Sequence, residues 1–149
     1  MLTGEVKQSI EESVLCWLAT ADEHGMPNCS PKEVFCHYGD EQIIIANIAS
    51  PQSVNNIKVN PNVCLSFVHV LKQKGFKVKA SARYIEPHEQ EYPPLFKAIE
   101  PMVGTVFPVK GIILLTVKQI QPVIAPSYYM VEGTTESQQI ENAKKAYAL

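Results

Sequence analysis

Apolar and polar positions change period several times along the chain, and each change marks an element. Val6, Ile10 and Val14 recur at i, i+4 and i+8, which predicts a short opening helix capped by Thr3. The β-prone run at 14–22, the turn signal EHGMP at 23–27 and NCSPKEVFC at 28–36 together read as a hairpin. HYGDE is a second turn, and QIIIAN at 42–47 a third strand. Ser50 as N-cap, Pro51 at the first helical position, and Val54 with Ile57 predict a short helix that Asn60-Pro61 stops. VCLSFVHV at 63–70 returns to strand, and FKVKASARYI at 76–85 is the clearest strand of all. Phe76, Val78, Ala80, Ala82 and Tyr84 share one of its faces, and Lys77, Lys79, Ser81 and Arg83 the other.

Further along, Leu95, Ile99 and Met102 suggest a helix, and 111–125 a long strand bent near Gln121-Pro122. The tail from 134 to 148 reads as a helix with a Thr135/Gln138 capping box, its apolar side formed by Ile140, Ala143 and Tyr147. About six strands without βα alternation exclude a doubly wound parallel sheet. The expected fold is mainly β, a six-stranded antiparallel barrel with peripheral helices, in one domain over residues 1–149.

Composition narrows the function. A formal charge of −2 across 149 residues argues against sequence-independent nucleic-acid binding. The polar start has no signal-peptide pattern, and no apolar run is long enough to span a bilayer, so a cytoplasmic chain is expected. Cys16, Cys29, Cys36 and Cys64 stand singly, as expected of buried reduced thiols in a metal-free protein.

Three features point to an anion. The helix start at Ser50, with Gln52 and Ser53, offers free N–H groups and hydroxyls of the kind that hold phosphate. Lys77, Lys79 and Arg83 form a basic strand face that is either solvated or screened by an anion. In SPKE, Pro31 argues for an edge or bulge, and Lys32 beside Ser30 could stabilise negative charge on a ligand. No GxGxxG, GxxxxGK[ST] or GxSxG motif is present, and the histidines suggest no triad.

HGMPNCSPKEVF, DEQIIIANIASPQSVNNIKVNPNVCLSF and QKGFKVKASA, in that order, resemble the pyridoxamine 5′-phosphate oxidase-like flavin-binding split barrels. The tail resembles a subgroup of small flavin-nucleotide-binding proteins. The resemblance implies a six-stranded split barrel that pairs as a homodimer with FMN at the interface. It places Ser30, Pro31 and Lys32 along the flavin ring, and Ala46 and Asn47 beside it; for an oxidoreductase, Lys32 is then expected near the N1/O2 edge, stabilising anionic reduced flavin. Gln52 and Ser53 fall where the oxidase holds the phosphate, with the helix start at Ser50 beside them, Lys77 and Lys79 on a strand lining the site, and Tyr128 in a segment contributed by the second copy.

The chain departs from the oxidase where Gln52 and Ser53 replace an Arg-Lys phosphate pair, and where Gly75 replaces a flavin-ring glutamine. A C-terminal Arg-x-His substrate motif is missing, which argues against oxidation of a B6 vitamer. An FMN-dependent oxidoreductase acting on a small molecule is therefore expected. A flavin carrier, store or redox sensor is the alternative, haem or deazaflavin are alternative planar ligands, and an oligonucleotide-binding barrel is the third class.

Overall fold

The computed structural model describes residues 1–149. Seven antiparallel strands form one sheet, curled into a split barrel with peripheral helices. The chain order is α1 (Gly4–Glu12), β1 (Cys16–Ala21), β2 (Pro27–Lys32), β3 (Phe35–Tyr38), β4 (Gln42–Asn47) and α2 (Pro51–Val59). It continues through β5 (Asn62–His69), β6 (Lys74–Ile85), α3 (Tyr92–Ile99), β7 (Gly111–Ile124), α4 (Ser127–Met130) and α5 (Glu136–Ala146). Across the sheet the strands run β2-β1-β5-β6-β7-β4-β3. The two edges, β2 and β3, are consecutive in sequence. The chain therefore steps from one edge to the other through Glu33 and Val34, where Ala46 N–H donates to the Val34 carbonyl.

This step explains the seventh strand. The sequence pattern carries a single strand from 28 to 36, whereas the chain leaves the β1–β2 ladder after Lys32 and restarts as β3 against β4. Pro31, which has no N–H to donate, lies in edge strand β2 as expected. Strand β7 runs without a break through Gln121-Pro122, because β4 pairs it only as far as Thr116 and Pro122, with no N–H to donate, lies where that side of the ladder is open. The irregularity is instead a register shift opposite Lys79 and Ala80, which leaves Lys118 as the extra residue.

The main core lies on the inner face. Leu18, Leu65, Val78, Ile113 and Leu115 are sealed by Val6 and Ile10 of α1 and by Ile57 of α2. Helix α1 ends at Glu12, before the apolar period reaches Val14, which is 78% exposed rather than buried. On the outer face α3 covers one half of the sheet, packing Leu95 and Ile99 on Ile44, Ala46, Ile112 and Leu114. Met102, expected on the same side, is exposed in the following 3₁₀ turn. Thr3 caps α1, and the Thr135/Gln138 capping box of α5 forms as the sequence predicts.

Candidate functional site

The step between the two sheet edges brings the end of β2 against the start of α2. Ser30 and Lys32 are opposite Leu18 and Cys16, so their side chains share the inner face. Lys32 is only 6% exposed. Its Nζ donates to Ser30 Oγ at 2.7 Å and to Ser50 Oγ at 2.6 Å, and the Ser30 and Ser53 hydroxyls lie 3.1 Å apart.

No carboxylate is within ion-pair distance of this ammonium. Burial pushes the Lys32 pKa down, with Cys16 and Cys29 opposing that effect. The buried Cys16 thiol is pushed up to about 12 by its own desolvation, so at neutral pH it is uncharged and gives the lysine no counter-charge there.

Ser50 stands at the N-cap position that the sequence suggests, and its carbonyl accepts from Val54 N–H, but its side chain makes no cap hydrogen bond and accepts from Lys32 instead; Pro51 occupies the first turn as expected. The uncapped first turn of α2 therefore presents N–H groups beside a buried cation and three hydroxyls. That donor set suits an oxyanion, a phosphate above all. Gln52 is exposed and donates to Asn56 Oδ1, and Asn56 in turn donates to Thr20.

The other expected residues divide. Asn47 is buried beside the cluster, accepting from Ser50 N–H through Oδ1 and donating through Nδ2 to the Tyr84 hydroxyl. Ala46 is turned the other way, into the cluster under α3. Pro31 faces outward opposite Trp17, in the same row across the sheet as Ser66 and Lys77. Lys77 and Lys79 are exposed on that outer face, so within one chain they do not join Lys32 into a single basic patch. Arg83 is held by both oxygens of Glu91, at 3.1 and 2.6 Å, and is not free for an anion. Tyr128, in α4, packs against the start of β6, where its hydroxyl donates to the Lys72 carbonyl and its ring lies under Lys74. Of the four cysteines, only Cys16 is buried, and Cys29 is exposed.

Tyr84 was not singled out by its pattern, which places it among core residues. The signal available was its hydroxyl, which needs a partner when the ring points inward. The histidines lie elsewhere: His24 in the β1–β2 turn, His37 against Glu11, His69 at the end of β5 and His88 after β6.

The outer face holds a different feature, an apolar hollow of about 610 Å³ around Val14, Leu15, Trp17, Val68 and Val70. Trp17 is 48% exposed there. No helix is long and apolar enough to cross a membrane.

The family model described as pyridoxamine 5′-phosphate oxidase matches residues 2–124. No relative is found among curated proteins. Several solved structures are similar. HupZ from Group A Streptococcus is 25% identical with a TM-score of 0.69, over 80% of this chain and 92% of that one. An FMN-binding protein from Syntrophomonas wolfei is 20% identical with a TM-score of 0.70, over 83% and 87%. HutZ, the heme storage protein from Vibrio cholerae, is 19% identical with a TM-score of 0.66, over 83% and 94%. At these identities the last two likenesses speak for the fold alone.

Proposed function

The chain belongs to the pyridoxamine 5′-phosphate oxidase family, and on that footing we propose that it binds FMN as a homodimer and acts as a flavin-dependent oxidoreductase on a small molecule. The observation that carries the reading is Lys32, a buried ammonium with hydroxyl partners and no carboxylate, set against the open start of α2. A buried cation without a counter-ion is costly, and an anionic ligand offsets that cost. In this reading Lys32, Ser30, Ser50 and Ser53 orient the phosphate, replacing the Arg-Lys pair of the oxidase. The expected position of Lys32 along the ring thus gives way to one at the phosphate end.

When bound, a flavin supplies hydride and electron transfer at its ring. The chain's own groups bind and orient it. One lysine and one helix end fall short of a phosphate dianion's charge. Lys77 and Lys79, exposed on the outer face, are free to meet a ligand held by a second copy, and Tyr128 is assigned the same role.

A carrier or sensor is the second reading, favoured by the make-up of the cluster. Neither a carboxylate nor a histidine contacts Lys32, so no ordinary general acid or base stands there. The absorption spectrum of the purified protein tests the cofactor. Flavin bands, with FMN released on denaturation, are expected. A Soret band would put haem in its place, and colourless protein that takes up no FMN at micromolar concentration would contradict flavin binding. Reduction by NADH or NADPH followed by reoxidation with an acceptor separates the enzyme from the carrier.

A further inference from the structure

Lys32 is oriented by Ser50, and what orients Ser50 lies on the far side of it from the lysine. Asn47 is 5% exposed and hydrogen-bonded at both ends of its amide. Its backbone carbonyl accepts from Lys110 N–H at 2.8 Å, its Oδ1 from Ser50 N–H at 3.1 Å, and its Nδ2 donates to the Tyr84 hydroxyl at 2.9 Å. An asparagine amide can be turned end for end at little steric cost, and only its partners decide which end faces which. Here the Ser50 N–H, which can only donate, takes the carbonyl end, and the phenol, which can donate or accept, takes the NH₂ end and holds the amide in that place.

Tyr84 is itself held. It lies on β6 opposite Ile113, and its ring end rests on the backbone of Gly111, where an added methyl would run into the hydroxyl. Gly111 is opposite Asn47 in the β4–β7 ladder, so the glycine that admits the phenol also aligns the asparagine.

We propose that Tyr84 is a positioning residue for the anion site, acting through Asn47 and Ser50 to fix the hydroxyl that holds the Lys32 ammonium. The chain of contacts runs from strand β6, across β4, to the start of α2. The inference rests on the reading of Lys32 as the phosphate-binding group only for its effect on affinity. Its structural half stands on the hydrogen bonds alone.

Tyr84→Phe keeps the ring, its packing on Gly111 and its place under Lys58, and removes only the oxygen. Two measurements test it. In ligand-free protein, exchange of the Ser50 amide hydrogen should quicken about five-fold, the weight of one ordinary hydrogen bond, while amides of the β6–β7 ladder stay unchanged. FMN should bind about five-fold more weakly, and the same substitution on a Ser50→Ala background should weaken binding no further. Asn47→Ala breaks the link from its other end and should reproduce both changes.

Unchanged Ser50 exchange, or an affinity loss that simply adds to that of Ser50→Ala, would overturn the proposal. Quickened exchange in a protein that binds no FMN would leave the positioning role intact and sink the flavin reading instead.

Discussion

Lys32 and Cys16 are opposite one another on neighbouring strands, and burial moves their protons in opposite senses on the pH scale. For Lys32 burial disfavours the ammonium and lowers the folded pKa below the ordinary 10.5. Between those two values the unfolded chain binds a proton that the folded chain does not, so stability rises with pH. For Cys16 the folded pKa lies at about 12 against an ordinary 9.0. Across that interval the folded chain keeps a proton the unfolded chain has lost, so stability falls. Lys32→Met should therefore be more stable than the native chain at neutral pH in the absence of ligand. The gap should narrow as pH climbs toward 10, and Cys16→Ala should blunt the decline above pH 9. Urea denaturation from pH 7 to 10 checks both, and a gap independent of pH would show that Lys32 is not desolvated. The identity of Lys32 as a candidate was legible from SPKE. Its burial was not, because that depends on pairing with Cys16 and on where α2 lands.

At the scale of elements, strand periodicity told which residues of one strand share a face but not which faces of different strands coincide. Lys77 and Lys79 alternate on β6 as the sequence says, and Lys32 alternates on β2. Only the pairing through β1 and β5 shows that they are on opposite sides of the sheet. Ser50 shows a similar limit. Its type and position are those of an N-cap, but a buried ammonium competes for the same oxygen and wins it.

Gly75 was legible only as a departure from the oxidase, and its packing gives the reason. A methyl there would meet the Phe67 carbonyl and the Val68 backbone on β5. The obstacle is backbone, which cannot swing aside, so Gly75→Ala should cost about 3 kcal/mol or more in chemical denaturation. Gly111→Ala should cost less, because its obstacle is the Tyr84 side chain. Equal costs would contradict this ranking.

For the whole molecule, the resemblance made the split barrel legible before the structure, while the closing step at Glu33 and Val34 was not, since no local pattern marks a change of sheet edge. The half of the outer face left open by α3 was also illegible, because exposure of Trp17 is a property of the assembled sheet. An apolar hollow of about 610 Å³ beside exposed lysines suits burial against a second copy. Trp17→Glu places a charge in that contact. It should turn a dimer into a monomer by light scattering and weaken flavin binding with it. A variant that stays dimeric and keeps its flavin would place the interface elsewhere.

The role of Lys32 is best measured by titrating FMN and riboflavin into the native chain and into Lys32→Met, with flavin fluorescence as the signal. The two ligands share the ring and differ by the phosphate, so the ratio of their affinities isolates the anion site. The native chain should prefer FMN by at least about ten-fold, the range of a charge-assisted hydrogen bond. Lys32→Met should lose most of that preference while its riboflavin affinity changes little. An undiminished preference for FMN in the variant, or none in the native chain, would contradict the assignment of the buried ammonium to the phosphate.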